Sequence, residues 1–217
     1  MYTPRAFEIN DLEAQKRIIQ THPLGTLVAH GPGGLRATHL PFVLEGNTLP
    51  GLRLHAHISR NNLEFADLPA GSEVLIIFRG PHAYVSPSWY PSKTANQGKA
   101  VPTWNYVSAH VHGTLNQVND QAWLLRHLEA QTLKHEGQRP QPWSMQDAPP
   151  DYIDAMVKQI VGLEITIERI EAKAKLSQNR PAEDQQGVIE ALSASPATGL
   201  PSALNHAVAE LMKSRQV

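Results

Sequence analysis

One stretch, IVGLEITIERIEAKAKL from Ile160 to Leu176, narrows the choice of fold more than any other. Val161, Leu163, Ile165 and Ile167 alternate with Gly162, Glu164, Thr166 and Glu168, the period of a strand with one buried face. The apolar phase then moves to Ile170, Ala172, Ala174 and Leu176, which predicts a β-bulge near Arg169. Upstream the strand signal keeps returning. LGTLVAH (24–30) and LRATHLPFVLE (35–45) read as a hairpin turning through Gly31–Gly34. GLRLHAHI (51–58) follows, then EVLIIFRG (73–80), apolar enough to be buried on both faces. HAYVSP (82–87) reads as a separate short strand after Gly80-Pro81, and WNYVSAHVHGTLNQV (104–118) as a long alternating one. Strands succeed one another instead of alternating with helices. That predicts a mainly β, α+β chain: an antiparallel barrel with attached helices.

Helices punctuate this pattern. Asn10-Asp11 caps LEAQKRIIQTH (12–22), which His22-Pro23 stops. Asn119 is the expected cap of DQAWLLRHLEAQTLKHE (120–136), with Trp123, Leu124, Leu128 and Leu133 facing inward. Pro149-Pro150 and Asp151 open DYIDAMVKQI. Beyond Arg180, short helices are expected around Glu183–Leu192 and Ala203–Lys213, joined by a Ser/Pro/Gly connection. The expected division is a barrel domain over 1–180 and a helical tail over 181–217.

Several function classes lack their chemistry. The 217 residues contain no cysteine, which excludes disulfides, thiolate metal sites and a Cys nucleophile. A formal charge of -1 supplies no overall field towards nucleic acid or an anionic membrane. No apolar run approaches the roughly 20 residues of a membrane span, and MYTPRAFEINDLE has no signal-peptide pattern, so a cytoplasmic location is expected. There is no G-x-S-x-G, no Walker A sequence and no G-x-G-x-x-G opening a helix.

The informative residues cluster elsewhere. His55/His57 and His110/His112 are i, i+2 pairs that put two imidazoles on one strand face, with His39 on another strand. No acid completes a hydrolytic metal site beside them, so no metal ligand is assigned; His30, His82, His127, His135 and His206 read as surface or helix-face residues. HAHISRNN (55–62) ends a strand in a hydroxyl, a guanidinium and an amide, a set that suits either an anion or a polar turn. Ser86 to Thr103 is long, proline-rich and aperiodic, as functional or disordered loops are. VPTWNY (101–106) leaves it with Trp104, which suits a ligand plane, an interface or the core. KAKLSQNR (173–180) is locally basic, either solvated or reaching an anion.

Taken together, SRNN after HAHI, KTANQGKAVPTWNYVSAHVHG, and KLSQNR followed by DQQGVIEAL resemble the PaiB family of FMN-binding negative transcriptional regulators. The resemblance covers nearly the whole chain, from MYTPRAFE onward. It implies the FMN-binding split β-barrel shared with pyridoxine phosphate oxidase and flavin reductases, a homodimer, and FMN at the subunit interface. By position, it implies that the strand carrying Arg36, Thr38, His39 and Leu40 runs along the flavin. His57, Ser59, Arg60 and Asn61 would hold the phosphate, and Trp104, Asn105, Gln178 and Arg180 would approach from the second subunit. Asn61 stands where the wider oxidases carry a basic residue, which lowers the phosphate affinity expected. A flavin reductase or oxidase is the alternative activity, with no catalytic residue identifiable. Haem is the alternative cofactor, because related barrels bind it and the chain has 11 histidines. No recognition helix is evident, so any DNA role is expected to be indirect.

Overall fold

A computed structural model describes residues 1–31, 33–95, 97–194 and 200–214. The Ser/Pro/Gly connection expected between the tail helices lies mostly outside the described residues, as does Pro32 in the expected hairpin turn. The strands are β1 (Glu8–Ile9), β2 (Leu24–Gly31), β3 (Gly34–Pro41), β4 (Val43–Glu45), β5 (Arg53–Ser59), β6 (Ser72–Val85), β7 (Thr103–Val118) and β8 (Ile160–Lys175). The helices are α1 (Leu12–Thr21), the short α2 (Leu63–Ala66), α3 (Gln121–Glu136), α4 (Pro150–Val157), α5 (Ala182–Ser193) and α6 (Leu200–Ser214). One sheet runs β3-β2-β6-β7-β8-β5-β4, with β1 paired to β8. β3 also approaches β5, bringing an end of the sheet back on itself as a barrel requires. Among the described residues, no helix is long and apolar enough to cross a membrane.

The chain divides into two compact units that interleave along the sequence. Met1–Ile18, Arg79–Ala109 and Glu171–Val217 form the first; Ile19–Phe78 and His110–Ile170 form the second. In the second, Leu27, Phe42, Leu54, Ile76, Leu115 and Ile165 are wholly or almost wholly buried. Gly162 has its place there for a steric reason: a Cβ would sit 2.4 Å from the Trp123 ring. In the first, Val188 and Leu192 of α5 pack with Val208, Ala209 and Met212 of α6.

Several boundaries differ from the sequence expectation. EVLIIFRG and HAYVSP are one strand, β6, and Gly80-Pro81 lies inside it. Among the described residues β2 pairs β6 at Val74–Ile77, so Pro81 lies beyond that ladder. LRATHLPFVLE divides at Phe42, whose N–H turns away to Pro23 O, giving β3 and β4. The α3 cap is Asp120, whose carboxylate accepts from Trp123 N at 2.7 Å, while Asn119 serves another partner. Leu133, expected to face inward, is 70% exposed on the last turns of α3. In β8 the buried positions run 161, 163, 165, 167 and resume at 172 and 174, so the phase slips across Glu168-Arg169 as expected.

Candidate functional site

In the second unit, the expected residues lie along β3 and at the C-terminal end of β5. Pleating sets Arg36 and Thr38 half-buried on one face of β3 and exposes Ala37 and His39 on the other. Leu40 is buried at the strand's end. His39 therefore does not share a side with Arg36 and Thr38. The Arg36 guanidinium crosses to donate to Glu64 O in α2 at 2.8 Å, beside the Ser59–Asn62 turn. That turn is closed by Asn61 N donating to Ser59 Oγ at 3.2 Å and by Asn62 N donating to Ser59 O at 2.9 Å. Asn62 precedes α2 without a side-chain cap bond.

Arg60, the residue singled out for phosphate, is exposed. Its Nε donates to Lys158 O at 3.0 Å and a terminal N–H donates to Asn119 Oδ1 at 2.8 Å. Both arginines thus meet neutral oxygens, and among the described residues neither forms an ion pair with a carboxylate. Two uncompensated guanidiniums beside a serine turn fit a phosphate, whose dianion can accept their remaining donors.

His57 joins an inner histidine cluster that periodicity did not reveal. Its Nδ1 lies 3.1 Å from Nε2 of His127 on α3. His127 stacks on Trp123 at a 5.3 Å centroid separation and is 2% exposed, so it is a core residue and not the surface one expected. His55, on the same side of β5, sits between Glu45 and Glu164, each at 3.2 Å. Burial lowers the pKa of His57. Burial, and then the neighbouring His57 and His55, lower that of His127 to about 3. Burial thus favours the neutral form of His57 and His127. Among the described residues, no group of three or more His, Asp or Glu side chains is arranged to hold a metal ion. His112 of the other pair lies 3.0 Å from the Arg169 guanidinium in an open cleft of about 570 Å³ that His30, Leu35 and Glu73 also line.

The first unit holds the remaining residues. Trp104 is 53% exposed, flanked by His82 and Tyr84 at centroid distances of 6.2 and 5.9 Å. Asn105 points the opposite way and is wholly buried. Its Nδ2 donates to Ser177 Oγ at 3.0 Å, and Ser177 Oγ donates back to Oδ1 at 3.1 Å. Ser177 has φ 64°, a left-handed conformation that serine adopts only when its surroundings impose it. Asn105 is therefore the pin that holds the KLSQNR turn. Gln178 spends its amide on the same turn, donating to Ala174 O at 2.6 Å and accepting from Leu176 N at 2.7 Å. Arg180 lies 4.7 Å over the Tyr90 ring. Lys175, which the sequence marked only as part of a basic stretch, donates to Thr103 Oγ1 and, at 3.0 Å, to Trp104 O. No periodic signal separates it from a solvated lysine.

Comparison with known proteins bears on the family and the fold. A family model described as "Putative FMN-binding domain" matches residues 1–169. The chain is 33% identical over 192 residues to the Protease synthase and sporulation protein PAI 2 of Bacillus subtilis, covering 88% of this chain and 89% of that protein. It is also 33% identical over 223 residues to an uncharacterized protein of Aspergillus fumigatus, covering 81% of this chain and 84% of that one. Among solved structures, the FAD and heme binding protein from Mycobacterium smegmatis superposes with a TM-score of 0.53 over 82% of this chain and 78% of that chain. At 14% identity, that likeness is one of fold: the flavin-type split β-barrel.

Proposed function

The chain belongs to the FMN-binding family whose model spans residues 1–169, and from that premise we propose how it binds FMN and what it does with it. The phosphate is held by Arg36, Ser59, Arg60 and Asn61 at the ends of β3 and β5. The isoalloxazine runs along Thr38, His39 and Leu40 of β3, whose outer edge has no ladder partner among the described residues. Trp104, with the turn that Asn105, Gln178 and Arg180 shape, approaches from the second copy of a two-fold dimer. The carrying observation is the pair of guanidiniums, Arg36 and Arg60, engaged only by neutral oxygens. The flavin supplies redox or light-absorbing chemistry when bound; the chain's residues bind and orient it.

The output we propose is negative transcriptional regulation, the role implied by the family resemblance; the B. subtilis relative is named for protease synthesis and sporulation. That role is indirect. A net charge of -1 disfavours DNA, and α5 and α6 turn their apolar faces on each other as a capping pair.

Paired titrations test the site. Arg60→Ala removes a charge-assisted contact worth roughly 1.5–3 kcal/mol, or about one to two decades of FMN affinity. Riboflavin, without the phosphate, should bind the variant and wild type alike; Arg36→Ala should follow the same pattern. Equal losses for both ligands would put these arginines outside the phosphate site. Steady NAD(P)H oxidation by the loaded protein would replace the regulator with a flavin reductase.

A further inference from the structure

Arg60 is fixed by three oxygens, although its side chain is exposed. Its backbone N–H donates to Gln159 O at 2.9 Å, its Nε to Lys158 O at 3.0 Å, and a terminal N–H to Asn119 Oδ1 at 2.8 Å. Lys158 caps the C-terminal end of α4, where carbonyls lack helix partners and a cation is favoured. Asn119 stands just before α3, and Gln121 Nε2 donates to Asp154 Oδ1 at 3.1 Å, tying the start of α3 to α4. An exposed arginine otherwise samples many rotamers and loses that freedom on binding an anion. Here two of the guanidinium's N–H groups are used, and the rest of its five remain for a phosphate. Of the three acceptors only Asn119 offers a side chain. A guanidinium can only donate, so the Asn119 atom facing it is the amide oxygen. The order of Asn119 and Asp120 decides the charge at that point. Asp120 turns its carboxylate to Trp123 N in the first turn of α3, where a negative charge is favoured, and leaves the neutral amide to Arg60. A carboxylate at position 119 would pair with the guanidinium and repel a phosphate.

We propose that Asn119 is a positioning residue that determines specificity: it holds Arg60 oriented and uncompensated, and so sets the preference for the phosphorylated flavin over riboflavin. Asn119 acts through Arg60 and touches no flavin itself. This rests on the flavin reading above, in which Arg60 meets the phosphate.

The test compares FMN and riboflavin affinities of the full chain by fluorescence titration at neutral pH. Asn119→Ala should weaken FMN about two- to tenfold, the effect of one hydrogen bond, and leave riboflavin unchanged. Asn119→Asp should weaken FMN further, by about tenfold or more, because its carboxylate pairs with Arg60 and repels the phosphate. A merely structural role predicts the reverse order, since Asp has nearly the shape of Asn and Ala has not. Exchanging the two residues, Asn119→Asp with Asp120→Asn, keeps the net charge and a good α3 cap and should still weaken FMN. In an Arg60→Ala background, Asn119→Ala should change FMN affinity no further. Circular dichroism checks each fold; if Asn119→Ala loses its signal, Asn119→Ser takes its place. The proposal is overturned, with the flavin reading left standing, by any of four results: unchanged FMN affinity in Asn119→Ala, equal losses for FMN and riboflavin, tighter FMN binding by the Asp variant than by the Ala variant, or an undiminished Asn119→Ala effect without Arg60. If wild type takes up no FMN, or Arg60→Ala weakens FMN no more than riboflavin, the flavin reading fails and this proposal fails with it.

Discussion

At the residue scale, the sharpest consequence of burial falls on His127. Its pKa is lowered to about 3, and that of His57 is lowered as well, because the interior disfavours the charged ring. Both values lie below those of the unfolded chain, so unfolding takes up protons as pH falls. For His127 the stabilisation is complete above about pH 6.5 and is lost progressively towards about pH 3, by at most ~1.4 kcal/mol per pH unit; His57 adds a loss of the same sign. His127→Phe keeps the stack on Trp123 and removes the titration. Urea midpoints measured between about pH 7 and pH 5 should fall steeply for wild type and less so for the variant; parallel slopes would show that the pair does not govern acid stability. The sequence marked His57 through its H-x-H spacing and missed His127. A lone histidine on a helix has no periodic signature, and only the docking of α3 over β5 turns it inward.

At the element scale, the long aperiodic segment is anchored more firmly than its composition implies. Ser86 caps a short turn at Pro87–Trp89, and a second follows at Pro91–Lys93. Ser92 N and Oγ then donate to the buried Asp184 carboxylate at 3.0 and 2.7 Å, in the first turn of α5, where a negative charge is favoured. At Gly187 a Cβ would lie 2.2 Å from Trp89 O, so the helix seats directly on the loop backbone. Asp184→Ala should cost about 2–3 kcal/mol by stranding both donors. Amides of residues 86–95 should then exchange faster than those of β7. Unchanged protection would mean that the loop is held by its prolines and not by α5. Strand and helix identities were readable from period and caps, whereas the fusion of two predicted strands into β6 was not: Gly80-Pro81 breaks any strand that needs its N–H, and pairing alone decides that need.

At the scale of the whole molecule, Trp104 and the KLSQNR turn need something to face. A two-fold dimer is the expected state, with a large interface resembling a core; sedimentation showing a stable folded monomer at micromolar concentration would defeat it. Specific DNA binding should be weak at physiological salt, and a nanomolar complex with a steep salt slope would overturn the indirect role. The succession of alternating strands, the existence of the main helices, the phase slip at Arg169 and the family resemblance were set by the sequence, because they depend on neighbours within a few residues. Which arginine lacks a carboxylate, which histidine is buried, and why Asn105 pins Ser177 in a left-handed turn depend on residues tens of positions away. Only the packed chain brings those side chains within hydrogen-bonding distance, and only there does desolvation choose among roles that the sequence leaves equal.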